Sequence, residues 1–440
     1  MSSPPHPPPH LYAFGSNGSS QLGIGHTEDI STPTKCLLDS DKWKANIISF
    51  LLQHSNPNPK ITQTQDPFSI KRVVAGGNHT LIQLNNGLVY AAGENTDGRC
   101  GQMYSGQSKS FSKTFKPVVL SESDDGLMPQ YAFFSAISAT WEASILVAKG
   151  AGYGYGPVSE SERKADKVFV LGSGLKGELG LGGPFTAAGD GHRMYGFPPE
   201  GRNVVALDSG VGHTVALLSD GGVWGWGASR KGQLGGENVA EKVVWRPREI
   251  NVPGGMGVTG VVCGREFTVL LGDWEKGEII VLGNGAGFGS SFSTISASAS
   301  ESGSETTKGS DKWGIISNIP RAETIKGYKK VLASWHAIYI HQADGTLLSW
   351  GRNDHGQLPP ADLEGVAVKD IAVGSEHGLV LLENGEVVAF GWGEHGNCGP
   401  DTDEKGDVKG VSKKTPFDLP EGLNVSGLGG GCATSWIIAE

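Results

Sequence analysis

Cysteine is scarce, with five in 440 residues. Cys36, Cys100, Cys263, Cys398 and Cys432 are odd in number and never fall as Cys-x-x-Cys, which argues against a zinc knuckle or a secreted disulfide frame and points to reduced thiols inside a cell. Long apolar runs are missing too: no stretch approaches the roughly 18 residues of a membrane-spanning helix. The opening MSSPPHPPPH lacks the apolar core of a signal peptide, so residues 1–10 read as a disordered Pro-rich tail. Basic side chains are in deficit, 36 against 46 acidic, and a net charge of −10 does not suit direct nucleic-acid binding, which needs clustered Lys and Arg. Helix signals are nearly absent because Gly repeatedly breaks any 3.6-residue apolar period. Neither a Gly-x-x-x-x-Gly-Lys loop, a His-Glu-x-x-His pair nor a nucleophile elbow occurs, so the chain is expected not to be an enzyme and to carry no cofactor of its own.

Glycine, in contrast, is abundant at 68 residues, and most of it marks a two-part phrase that returns seven times. The first half follows an apolar strand: Gly76-Gly77-Asn78-His79-Thr80, Ala139-Thr140-Trp141-Glu142, Gly210-Val211-Gly212-His213-Thr214, Gly264-Arg265-Glu266-Phe267-Thr268, Ala333-Ser334-Trp335-His336, Gly374-Ser375-Glu376-His377 and Gly430-Gly431-Cys432-Ala433-Thr434. The second half is a strand ending at Gly15, Gly93, Gly172, Gly227, Gly283, Gly351 or Gly391, usually followed by a turn and Gln-Leu-Gly or a relic of it. Short strands repeating every 40 to 50 residues or so read as propeller blades. The chain begins inside one unit, at Tyr12–Asn17, and ends with the first half of another, at Gly429–Ile438. The expected fold is therefore an all-β, seven-bladed propeller over residues 11–440, closed by pairing of the two terminal segments. Val204–Leu207, Val215–Ser219 and Val223–Trp226 make the most legible blade.

Polar segments at 53–68, 150–166, 183–201 and 401–420 read as insertions between repeat elements. The Ser-rich run at 289–312 is too poor in large apolar residues to order itself and is expected to be disordered.

Three local motifs that suggest chemistry have plainer readings. Gly172-Ser-Gly-Leu-Lys-Gly177 matches a dinucleotide fingerprint, yet the Glu-Leu-Gly-Leu-Gly-Gly that follows cannot open the helix such a site requires. Asp401-Thr-Asp-Glu-Lys-Gly406 starts like a calcium loop but has Lys405 at a ligand position and no bidentate Glu, and Glu394, His395 and Cys398 lack a complementary metal-binding pair nearby. The loops after the first strands matter more, since a propeller gathers them around one mouth of its central channel. His79 and His213, which recur with the repeat, read as side chains hydrogen-bonded within their own blades. Trp141 and Trp335 replace small residues of the sister units and suit a binding hot spot. With them the candidate partner-binding face comprises Glu142, Glu266, His336, Glu376 and His377, with Trp392 and His395 added from the turn at Gly391–Pro400. Its acids predict a negative rim suited to a basic or metal-bearing partner.

Tyr12-Ala-Phe-Gly-Ser-Asn17 with Gln21-Leu-Gly23, Gly212-His-Thr214 and Trp350-Gly-Arg-Asn-Asp-His-Gly-Gln-Leu358 resemble RCC1-type repeats along essentially the whole chain. More narrowly, Tyr12–Asn17 together with Gly76–His79, Gly374–Gly378, Gly391–Pro400 and Gly431-Cys-Ala-Thr-Ser-Trp436 resemble the fungal alpha-tubulin suppressor, or killer-toxin-insensitivity, group of RCC1-like propellers. That resemblance implies a non-enzymatic adaptor that pairs as a heterodimer with a small CSL-type zinc or iron protein. The metal is the partner's, and the pair serves diphthamide synthesis on elongation factor 2 and Elongator-dependent modification of tRNA wobble uridines. It implies a cytoplasmic location, with the nucleus as a second compartment. The alternative within RCC1-like proteins is a guanine-nucleotide exchange factor for a Ran-like small GTPase, for which MSSPPHPPPH does not resemble a basic chromatin-binding tail.

Overall fold

Alternating apolar residues and a terminal Gly make each repeat a set of short antiparallel strands. In the clearest repeat Val204–Ser209, His213–Leu218 and Val223–Ala228 form the three expected strands, and Val243–Glu249 adds a fourth at the outer edge. The computed structural model describes residues 10–39, 68–101, 110–120, 133–149, 165–183, 185–283, 291–295, 319–412, 420 and 422–440. Within them lie seven sheets, six of four strands and one of three. Blade 1 holds strands between Ile70 and Pro117, blade 2 between Phe134 and Arg193, blade 3 between Val204 and Glu249, and blade 4 between Gly260 and Gly283. Blade 5 spans Tyr328 to Gly351 and takes its outer strand, Ser291–Ile295, from upstream; blade 6 runs from Val368 to Val408. Blade 7 is shared by the two ends of the chain: His10–Gly15 pairs antiparallel with Thr434–Ala439, from His10↔Ala439 to Gly15↔Thr434. The expected terminal latch is present.

The fourth strands depart from the sequence reading. Ala187–Arg193 and Asp407–Val408 lie inside segments read as insertions, and Ser291–Ile295 lies inside the run read as disordered. An outer strand bonds along one edge and turns much of its surface to solvent, so Ser, Thr, Lys and Arg are acceptable there and the apolar alternation that reveals inner strands is lost. Residues 1–9, 296–312 and most of 53–68 and 150–166 fall outside the described residues.

The core lies between blades. Seven clusters of buried side chains occupy the seven seams, for example Leu81, Ile137, Leu146 and Leu171 between blades 1 and 2, and Phe14, Leu379, Ala389 and Ile437 between blades 6 and 7. In six blades the described turn after the third strand plants a buried anchor in this core: Leu22, Leu179, Leu234 and Leu358, with Cys100 and Cys398 standing in the same place. Burial pushes both thiols well up, so these cysteines serve as small apolar anchors.

Three seams share a buried polar relay. His79 Nε2 lies 2.9 Å from Ser144 Oγ of the next blade, and that hydroxyl donates to the Arg99 carbonyl at 2.7 Å. His213, Thr268 and the Gln233 carbonyl repeat the arrangement at 3.0 and 2.8 Å, and His377, Ser435 and the Asn397 carbonyl at 2.9 and 2.7 Å. Because each hydroxyl spends its proton on a carbonyl, it accepts from the imidazole, so Nε2 carries the hydrogen and Nδ1 is bare. The ring folds back over the first Gly of its own loop: a Cβ on Gly374 would lie 2.6 Å from His377 Nδ1 and 2.6 Å from the Gly431 carbonyl oxygen. Gly-x-x-His is thus a packing rule. The expectation that His79 and His213 bond within their own blades is corrected, because both reach the next blade. Elsewhere the same carbonyl finds other donors: Trp226 Nε1 bonds Glu178 O at 2.9 Å, and Tyr339 Oη bonds Gln357 O at 2.8 Å.

Removal of the hydroxyl in Ser435→Ala strands both His377 Nε2–H and the Asn397 carbonyl, and should lower unfolding free energy by about 1–3 kcal/mol in a urea titration. Burial also lowers the pKa of His79 to about 3 and of His213 and His377 to about 4, from 6.5. Below pH 6.5 the unfolded chain takes up protons that these folded rings refuse. Their contribution to stability is therefore complete above pH 6.5 and is lost as pH falls toward 4 and then 3. Thermal melts across that window should show Tm falling on acidification, with a shallower fall in His213→Gln.

Candidate functional site

The inner strand of every blade lines a central channel of about 530 Å³. Each inner strand ends in the loop that carries the repeat motif, so seven loops surround one mouth. Backbone bonds tie them into a belt of two arcs, one over blades 1 to 3 and one over blades 4 to 7: Gly77 N to Trp141 O at 3.0 Å, Trp141 N to Val211 O at 3.0 Å, Arg265 N to Trp335 O at 3.2 Å, Trp335 N to Ser375 O at 2.9 Å and Ser375 N to Gly431 O at 2.9 Å.

On that belt Trp141 of blade 2 and Trp335 of blade 5 meet across the mouth, with ring centroids 5.9 Å apart and planes tilted by 46°. Trp141 also lies flat on Gly77, where a Cβ would come within 2.6 Å of the indole. Small residues in one loop make room for the Trp of the next. Both indoles remain half-buried. The exposed Arg265 guanidinium sits 4.8 Å from the Trp335 ring centroid, a cation–π contact, and His336 packs edge-on against the same indole. His336 Nδ1 donates to Glu376 Oε1 at 2.6 Å, joining blades 5 and 6 as their consecutive loops predict, and Gln357 Nε2 donates to Glu376 Oε2 at 3.0 Å. Arg352 approaches Glu376 at 3.9 Å and holds the neighbouring Asp354 carboxyl well below the usual carboxylate range. Cys432 lines the channel near Arg265, and burial raises its thiol to about 11.

Trp141, Trp335, His336 and Glu376 are therefore brought together as the sequence suggested. His377 is not: it is fully buried as the blade 6–7 relay and offers nothing to a partner. Phe267, at the same repeat position in blade 4, is likewise buried. The predicted negative rim also fails to form. Glu376 is buried beneath its donors, Glu266 is exposed but faces Lys231 at 3.8 Å, and Glu142 is half-buried, while Arg265 and Arg352 add positive charge. Trp392 and His395 form a second cluster at the blade 6–7 seam. Their rings meet edge-on at 5.5 Å, His395 Nδ1 bonds Asp29 Oδ2 at 2.7 Å, and Trp392 N bonds Glu376 O at 2.9 Å. Cys398 points into the core toward the Phe390 carbonyl, away from Glu394 and His395, and no group of three metal-binding side chains converges among the described residues. Arg265 escaped the sequence reading; its signal was a cation at the position where the other loops carry Gly77, Trp141, Val211, Trp335, Ser375 and Cys432.

Comparison with known proteins agrees with this geometry. Profiles of the Regulator of chromosome condensation (RCC1) repeat match residues 220–271 and, in a second form, residues 70–107, 204–233 and 368–397. An RCC1 repeat-containing protein of Schizosaccharomyces pombe is 25% identical over 441 residues, covering 98% of this chain and 99% of that protein. The secretion-regulating guanine nucleotide exchange factor of Mus musculus is 22% identical, over 89% of this chain and 76% of its own length. The crystal structure of Prp20p from Saccharomyces cerevisiae superimposes with a TM-score of 0.64 at 17% identity, covering 99% of this chain and 92% of that one. Seven sheets around a channel, a shared terminal blade and the matched repeats lead to one conclusion: the chain is a seven-bladed β-propeller in which residues 70–107, 204–271 and 368–397 match RCC1 repeats.

Proposed function

We propose that this propeller is a non-enzymatic regulatory or adaptor subunit whose loop mouth docks a protein partner. The observation that carries the reading is the Trp141–Trp335 pair with Arg265 over it, two half-exposed indoles held rigidly across the mouth. Aromatic and Arg side chains held in place in this way are the residue types on which binding energy concentrates. Trp141, Trp335, His336 and Arg265 form the centre of the contact; Glu142, Glu266, Trp392 and His395 form its border, and Glu376 supports it by orienting His336.

The partner we propose is a small CSL-type zinc or iron protein, bound as a heterodimer that serves diphthamide modification of elongation factor 2 and Elongator-dependent tRNA wobble-uridine modification in the cytoplasm and nucleus. Support comes from the resemblance carried by Tyr12–Asn17, Gly374–Gly378 and Gly391–Pro400. In the structure the last of these holds Trp392 and His395 against the blade 7 loop at Asp29, on the same end of the ring as the tryptophan mouth. In calorimetric titration with that purified metalloprotein, Trp335→Ala should weaken binding by about 2 kcal/mol or more, roughly thirtyfold in Kd. An unchanged Kd removes Trp335 from the contact.

A second reading is nucleotide exchange on a Ran-like GTPase, favoured by likeness over most of the chain to a protein named as an exchange factor. It predicts accelerated release of fluorescent GDP from the GTPase at micromolar propeller. The adaptor reading predicts the intrinsic rate.

A further inference from the structure

The end of the ring opposite the tryptophan mouth carries its own repeated device. In six of the seven blades the innermost strand has a β-bulge at the same place: the register skips between Ile70 and Arg72, Phe134 and Ala136, Val204 and Ala206, Tyr328 and Lys330, Val368 and Asp370, and Val425 and Gly427. A bulge frees one residue from the pairing and re-aims its side chain, and bulges concentrate at rims. The residues so presented are Lys71, Ser135, Val205, Lys329, Lys369 and Ser426, of which all but the half-buried Ser135 are exposed. They are unevenly charged. Blades 5, 6 and 1 present lysine, and Arg72 and Lys330 stand beside two of these, whereas blades 2 and 3 present Ser135 and Val205.

The lysine-bearing blades, with blade 7 between them, enclose a hollow of about 810 Å³ lined by Lys71, Arg72, Lys330, Ser426 and the strand edge at Gly427–Gly430. Some of the charge is already engaged. Lys330 Nζ bonds Asp370 Oδ1 and the Ile371 carbonyl, each at 2.8 Å, Arg72 reaches Asp208 across blade 2 at 3.3 Å, and Lys71 bonds the Ser135 carbonyl at 3.3 Å. Glu440 also borders the hollow. Lys329 and Lys369 have no ion pair among the described residues, and the arc keeps an excess of positive charge in a chain whose net charge is −10.

We propose that this basic arc is a second docking surface, distinct from the tryptophan mouth, and that it takes an acidic polypeptide segment. Charge complementarity at a rim steers association and sets which partner is accepted. A peptide fits better than a nucleic acid. The cations are few and interspersed with Asp370 and Glu440; Lys71, Arg72 and Lys330 border a hollow with a strand edge, and Lys329 and Lys369 stand on the bulges outside its lining rather than along a line of phosphates.

The test is fluorescence polarisation of a labelled oligoglutamate peptide with the full chain at low ionic strength, with a Gly/Ser peptide and oligouridylate as comparators. Saturable oligoglutamate binding that weakens with added salt, falls about tenfold in the triple variant Lys71→Glu, Lys329→Glu, Lys369→Glu and is unchanged in Trp335→Ala is the expected result. The milder Lys329→Ala, Lys369→Ala pair, both exposed sites, should lose affinity in the same direction with an unaltered melting curve. Absence of binding, equal binding by both lysine variants, or tighter binding of oligouridylate than of oligoglutamate would overturn the proposal. Since Trp335→Ala reports only on the loop mouth, this surface and the adaptor reading can fail separately.

Discussion

Everything else in this ring rests on how one blade grips the next. A blade here is a small sheet with both faces buried, so its stability is the stability of its seams, and seven apolar clusters fill them. Apolar packing is non-directional and tolerates sliding. The His–hydroxyl–carbonyl relay does not, because a buried donor or acceptor displaced from its partner costs free energy on both sides of the seam. Three relays at the blade 1–2, 3–4 and 6–7 seams, with the Trp226–Glu178 bond at the 2–3 seam, therefore fix relative blade positions that packing alone would leave loose.

That dependence explains which features could be read in the sequence. The repeat, its count of seven and the terminal latch were legible because Gly, His and inward-facing apolar residues are needed at fixed spacing by the seam itself. The first three strands of each blade were legible for the same reason. The outer strands were not, since Ala187–Arg193 and Asp407–Val408 are held by one pairing edge with little apolar patterning to betray them. At the mouth, Trp141 and Trp335 stood out as departures from the repeat. That they touch could not be read, because no local pattern reports which of seven loops point at one another across an axis. His377 misled for a related reason: its neighbour Glu376 faces the mouth while its own ring faces the next blade, and the alternation of a strand start decides between them.

The two ends of the ring are built on different logic. At the loop end, side chains are immobilised by backbone belts and aromatic contacts, which suits a specific protein contact whose ordering cost is met before the partner arrives. At the other end, the bulges of blades 1, 5 and 6 lift the long side chains of Lys71, Lys329 and Lys369 off the sheet, where long-range charge matters more than exact placement.

The blade 5–6 seam joins these arguments. Where other seams place the buried His, blade 5 has Ala337, and where they place the hydroxyl, blade 6 has Gly378, onto which the Phe390 ring packs. The carbonyl that the hydroxyl would have satisfied is taken instead by Tyr339 from within blade 5. The polar link between the two blades has moved outward to His336 and Glu376, one or two residues earlier in each loop. This seam thus gives up a buried tie and gains a side-chain hydrogen bond at the mouth beside Trp335, where a bound partner would cover it. A hydrogen bond removed from water is held more strongly, so a partner docked at the mouth would tighten the 5–6 seam.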